Sequence, residues 1–135
     1  MKLLLDTHTF LWFVNDSPQL ATTTKALLES DNDLLLSIAS IWEIAIKVSL
    51  GKLQLPSPFE TFIPEQIAIN DLDVLVIKIE YLNLISSLPL YHRDPFDRLL
   101  IAQAVSLREC GSIAEDIPII SKDTAFDSYE VKRLW

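Results

Sequence analysis

Four acidic residues stand where strand, turn and helix signals meet, and each is a candidate for chemistry. Asp6 directly follows the apolar run KLLL, and Asp123 lies two residues beyond IPIIS. Glu43 falls within SIWEIAIK, and Asp97 within HRDPFDRLLIAQA at the mouth of an apolar helical run. Ordinary roles compete. Glu43 is three residues after Ser40, in capping-box spacing, and four before Lys47, in ion-pair spacing, so taken alone it is better explained locally. With Asp94 as N-cap and Pro95 at the first helical position, Asp94 is fully accounted for. One capping carboxylate suffices, however, and Asp97 shares a helical face with Ile101 and Ala104, a stripe expected to pack towards a sheet, whereas Arg98 and Arg108 lie elsewhere. Were the four acids to meet in one cleft, their repulsion would have to be relieved by raised pKa values or by cations. An all-oxygen donor set, without cysteine and without a histidine pair at ligand spacing, suits Mg²⁺ or Mn²⁺. Such ions serve phosphate chemistry by activating a water, clamping the phosphate and stabilising the leaving oxygen.

The elements that must position these acids alternate along the chain. KLLL (2–5) reads as a strand, THTFLWFV as a helical turn or two, and SPQLATTTKALLES (17–30) as a helix with Ser17 as cap and Pro18 at its first position. LLLSI (34–38) reads as a strand, and SIWEIAIKVSLGK (40–52) as a helix begun at Ser40 and stopped by Gly51. ETFIPEQIAI (60–69) reads as a helix interrupted by Pro64, DVLVIKI (73–79) as a β-branched strand and EYLNLISSL (80–88) as a helix. DPFDRLLIAQAVSLRE (94–109) reads as a long helix with Gly111 beyond its end, IPIIS (117–121) as a strand, KDTAFDSY as a short helix or turn, and VKRLW as an edge strand. Apolar strands separated by helices predict a parallel sheet covered on both faces, an α/β sandwich. In such sheets sites form at the carboxyl ends of the strands, so Asp6 and Asp123 should emerge on one rim with Glu43 nearby.

Composition bounds the rest. A chain of 135 residues that is 50% hydrophobic is the size of one domain, 1–135, with a real core. No apolar run approaches the ~20 residues that span a bilayer, so a soluble protein without a membrane segment is expected. Asp6 interrupts the only candidate export signal, so a cytoplasmic location is expected. Cys110 is the single cysteine, which excludes an intrachain disulfide and a thiolate cluster, and it reads as a small, partly buried helix residue. The net charge of −8 argues against a broad basic surface for nucleic acid, although bound cations would reverse the sign locally. An acidic surface also suits a basic partner protein. Lys47, His92 and Arg93 read as solvated surface residues. Trp12, Trp42 and Trp135 could stack on bases but read as core. His8 is evenly balanced between rim contact and packing.

Taken together and in this order, LLLDTHTFLW, SIWEIAIK with its following LGKL, HRDPFDRLLIAQA and IISKDTAFDSY resemble the PIN-domain family, specifically VapC-like toxin ribonucleases of type II toxin-antitoxin systems. Nearly the whole chain is covered. The resemblance implies a three-layer α/β/α sandwich with a central parallel sheet of about five strands, a Mg²⁺- or Mn²⁺-dependent endoribonuclease activity on RNA, a homodimer and a cognate antitoxin. It implies Asp6, Glu43, Asp97 and Asp123 as the catalytic and metal-binding set, the first three holding the principal ion. Asp94 and Asp127 match acids common in similar sequences but outside the core set. Ser121 matches a hydroxyl residue that often precedes the last aspartate, and His8 stands where many relatives carry Ser or Asn. The stretch CGSIAED is longer than usual and reads as a loop variation.

Two other readings compete. A haloacid-dehalogenase-like phosphatase also has an aspartate ending its first strand, but it needs a second two residues on, where His8 stands. A non-catalytic PIN-like module that binds RNA or protein is the alternative, and retention of all four acids argues against it.

Overall fold

Three consecutive leucines at the amino terminus, Leu3, Leu4 and Leu5, are fully buried, which requires a strand with apolar layers on both faces. The computed structural model describes residues 1–109 and 117–135. They form β1 (Lys2–Leu5), α1 (Thr7–Val14), α2 (Thr22–Glu29), β2 (Asp33–Ser37), α3 (Ile38–Ser49), α4 (Phe59–Ile69) and β3 (Leu72–Leu75). Then follow α5 (Ile79–Ser87), α6 (Pro95–Glu109), β4 (Ile119–Ile120), a 3₁₀ turn (Thr124–Ser128) and β5 (Arg133–Leu134). Cys110, Gly111 and the CGSIAED stretch lie outside the described residues.

The five strands form one sheet in the order β3-β2-β1-β4-β5, and every pairing is parallel. Strand alternation divides the core into two layers. Leu3, Leu5, Leu34, Leu36 and Ile120 face one side with Phe10 and Ile44, and Leu4, Leu35 and Ile119 face the other with Leu100, Ile101 and Phe126. This is the α/β/α sandwich expected from the sequence. The chain runs outward from β1 through β2 to β3, then returns to place β4 on the opposite side of β1. The strand order therefore reverses between β1 and β4, and parallel sheets open a crevice at such a point beyond their carboxyl ends. No helix among the described residues is long and apolar enough to cross a membrane.

Local expectations shift in four places. The helix expected from Ser17 begins at Thr22 instead. Ser17 and Leu20 close a turn on Trp12 O and Ser17 O, and the Ser17 hydroxyl accepts from Gln19 N–H at 3.2 Å, so Ser17 and Pro18 shape that turn. The helix α3 begins at Ile38, because Ser37 Oγ accepts from Ala39 N–H at 3.0 Å and caps it. Ser40 is therefore no cap, and Glu43 has no capping box. Pro64 does not interrupt α4. Its missing N–H deprives only the carbonyl of exposed Glu60, which water can serve. Finally, β3 stops at Leu75, where its one neighbour, β2, ends at Ser37. Past that point the chain has no ladder to join, and α5 begins.

Candidate active site at the strand-order reversal

Asp6 sits in the crevice between β1 and β4 and is only 5% exposed. It caps α1: Oδ1 accepts from Thr9 N–H at 2.8 Å, while Oδ2 accepts from the Ser121 hydroxyl at 2.5 Å. Its backbone N–H continues the sheet to Ile120 O at 3.2 Å, and Thr9 Oγ1 donates to the same carbonyl at 2.8 Å. The carboxylate thus has a fixed orientation, set from two strands at once. Ser121, fully buried, also accepts from Asp123 N–H at 2.9 Å. One hydroxyl therefore ties Asp6 to Asp123. Asp123 in turn caps the 3₁₀ turn through Ala125 N–H and leaves about half of its side chain exposed.

Asp97 comes from the opposite wall. Asp94 is the cap of α6, accepting from Phe96 N–H at 2.9 Å and Asp97 N–H at 3.2 Å, so Asp97 is fixed in the first turn. Its Oδ2 lies 2.7 Å from His92 Nε2, and the same nitrogen lies 3.6 Å from Asp123 Oδ2. His92, Asp97 and Asp123 each bring a ligand atom within 4.8 Å of the others, a spacing compatible with a shared metal ion. Burial pushes the Asp97 carboxyl up to about 7; the charges of Asp94 and Asp6 add to this, and the His92 hydrogen bond opposes it. Burial with acidic neighbours thus holds this carboxyl well above its usual range, as is common at functional sites.

Glu43 is buried next to this cluster but engaged differently. The Thr7 hydroxyl donates to Oε1 at 2.7 Å, and Lys47 Nζ lies 2.8 Å from Oε2. The ion pair expected at i+4 spacing is present, and Thr7 links Glu43 to the residue beside Asp6. The described residues thus bring Asp6, Asp97 and Asp123 around one crevice, with Glu43 on its flank. Asp127 stands apart: it is exposed, and Arg133 grips both of its oxygens at 2.8 and 3.0 Å. That pairing lowers the Asp127 carboxyl below its ordinary range and raises the Arg133 guanidinium.

Two sequence readings are corrected. His92 is not a solvated surface residue but a half-buried one, packed edge-on against Phe126 and bonded to Asp97. Arg98 places it, donating to the carbonyls of Ile85, Leu88, Pro89 and His92 and so fixing the connector between α5 and α6. Neither role has a local sequence signal, since the connector is irregular, although the spacing of His92 five residues before Asp97 was legible. Trp42 is not core: it is 56% exposed and meets Phe96 edge-on at 5.3 Å, because α3 turns Ile44 to the sheet instead. Trp12 and Trp135 do pack against the core, edge to face at 5.8 Å. His8 is exposed and lies against Trp12, ring centroids 5.6 Å apart.

Carboxylate and imidazole donors together are compatible with a divalent cation, whose charge would offset that of the acids gathered here.

Comparison with known proteins bears on this geometry. Ribonuclease VapC16 of Mycobacterium tuberculosis is 46% identical over 44 residues, which is 32% of this chain and 31% of that protein. The chain therefore matches less than a third of that relative's length. The solved structure of VapBC2 from Rickettsia felis, bound to a DNA fragment from their promoter, is similar with a TM-score of 0.69 at 13% identity, over 99% of this chain and 98% of that one. FitAcB from Neisseria gonorrhoeae is similar with a TM-score of 0.68 at 20% identity, over 99% and 96% of the two chains. At such identities these two establish likeness of fold. The sequence profile of the PIN domain matches residues 3–132, nearly the whole chain. The protein belongs to the PIN-domain family.

Proposed function

We propose that this chain is a divalent-metal-dependent endoribonuclease, the toxin of a toxin–antitoxin pair, with Asp6, Glu43, Asp97 and Asp123 as its catalytic set. The observation that carries this reading is the concentration of carboxylates, Asp6 and Glu43 buried among them, where the strand order of a PIN sheet reverses, with Asp97 raised to about 7 by burial and by its acidic neighbours. A relative named as a ribonuclease, VapC16, supports the reaction class through its matched segment. The net charge of −8 suits a basic antitoxin. A cytoplasmic homodimer, with residues 1–135 as one PIN domain, completes the reading.

Asp6, Asp97 and Asp123 would hold the ion, Mg²⁺ or Mn²⁺, with His92 beside them. When bound, such an ion activates water and neutralises charge at the scissile phosphate. The protein groups set the geometry around it. Asp6 presents its carboxylate at a fixed angle because Thr9 N–H and the Ser121 hydroxyl hold one oxygen each. Ser121 keeps Asp123 in register with it through the Asp123 N–H. Asp97 is held in place by His92 Nε2, 2.7 Å from its Oδ2, and by the Asp94 cap. Glu43, held by Thr7 and Lys47, shapes the flank and keeps a lysine there. His8, Asp94 and Asp127 have no part in holding the ion, and Asp94 acts by setting Asp97.

The test is cleavage of RNA by the purified protein with Mg²⁺ or Mn²⁺, against EDTA and against Asp6→Asn. Cleavage that needs the ion and is lost in Asp6→Asn is expected, with a fall of at least ~10²-fold by analogy with loss of other charge-stabilising groups. Full activity in Asp6→Asn would sink the site assignment. Metal binding without cleavage of any RNA would favour a non-catalytic binding module.

A further inference from the structure

Beside the acidic crevice lies a pocket of about 270 Å³ lined by Asp6, His8, Trp12, Lys122 and Asp123. His8 and Trp12 are four residues apart on α1, so they share one helical face, and their rings lie 5.6 Å apart, tilted by 33° to each other. Trp12 is braced from behind by Trp135, while His8 is exposed at the mouth. The pocket thus combines two aromatic rings, two carboxylates shared with the metal crevice and an exposed lysine. It is smaller than the roughly 300–1,000 Å³ of sites for drug-sized ligands, so it suits one planar group with its sugar.

We infer that this pocket is a nucleotide subsite of the enzyme, taking the base next to the scissile phosphate against His8 and Trp12 while Lys122 meets the adjoining phosphate. The inference deepens the ribonuclease reading and rests on it. Aromatic faces take bases by stacking, tolerant of sequence, and the Lys122 cation in the same lining can hold the backbone that a chain of net charge −8 otherwise repels. Because Asp6 and Asp123 form both the pocket floor and the wall of the crevice, a base seated there brings its phosphate to the carboxylates. His8, exposed beside Trp12, then extends the stacking surface. Trp12 and His8 act as binding groups and take no part in moving protons.

The experiment uses the full chain with Mn²⁺ and a short, mixed-sequence, single-stranded RNA, and compares KM and kcat for wild type, His8→Ala, Trp12→Leu, Trp12→Phe and Lys122→Gln. His8→Ala removes an exposed ring and should leave the fold intact. Trp12→Leu keeps apolar packing against the core, and Trp12→Phe keeps a ring face. Expected are a roughly tenfold rise in KM for His8→Ala and Trp12→Leu with kcat little changed, near-wild-type KM for Trp12→Phe, and for Lys122→Gln a salt dependence of binding weaker by about one phosphate contact. Unchanged KM in His8→Ala and Trp12→Leu would overturn the inference, as would Trp12→Phe failing as badly as Trp12→Leu, since packing rather than a ring face would then be at stake. A wild type that cleaves RNA while these variants match it defeats the subsite alone. A wild type that cleaves no RNA defeats the ribonuclease reading, and the subsite with it.

Discussion

Asp97 carries two opposing demands, because the burial and acidic neighbours that suit it to a cation make its ionised form costly when no cation is present. Its carboxyl is held at about 7, above the ordinary 3.8. Between those values the folded chain binds a proton that the unfolded chain has released, so this residue favours folding at low pH, and its contribution is lost as pH rises towards 7. Asp97→Asn should therefore stabilise the metal-free protein at and above pH 7 by about 1–3 kcal/mol, seen as a higher thermal midpoint, while abolishing cleavage. Thermal unfolding in EDTA across this pH range checks it, and a variant less stable than wild type at high pH would contradict the assignment. The sequence showed Asp97 on the inward face of its helix, because helical periodicity is local information. It could not show His92 turned back onto it, because the irregular connector before α6 carries no periodicity, nor Thr7 holding Glu43, because that contact joins segments far apart in the chain.

At the scale of elements, the site depends on two helix starts and a turn. Asp94 caps α6 and so aims Asp97, and its charge also raises the Asp97 carboxyl. These roles separate experimentally. Asp94→Asn keeps a capping side chain but removes the charge, so the Asp97 titration followed by NMR should move down with stability nearly unchanged. Asp94→Ala should in addition lose about 1 kcal/mol in urea unfolding. An Asp97 titration unmoved by Asp94→Asn would contradict the electrostatic account. Capping by Asp94 was legible because Asp-Pro before an apolar run is a strong helix start. The start of α3 was misread because Ser37 and Ser40 offer the same side chain, and only the end of the β2 ladder at Ser37 decides between them. The shortness of β3 was hidden for a similar reason: β-branched Val76 and Ile77 continue the strand pattern, but β2 has run out beside them.

For the whole molecule, the parallel sheet gathers residues 6, 43, 97 and 123 from four segments, since all strands end on one rim and the order reverses between β1 and β4. The alternation of apolar strands with helices made that architecture legible, and the double burial of β1, β2 and β4 bears it out. Strand order was not legible from the residues alone, because a sheet's neighbours are chosen by packing across the chain and not by local pattern. Several acids lie at the other end of the sheet, including Asp31 and Asp33 where β2 begins, so net charge alone does not distinguish the site. A calorimetric Mn²⁺ titration of wild type, Asp6→Asn, Asp97→Asn and Asp31→Asn makes that distinction. The account predicts binding by wild type and Asp31→Asn, with affinity lost or greatly weakened in Asp6→Asn and Asp97→Asn. Equal Mn²⁺ binding in all four proteins would contradict it.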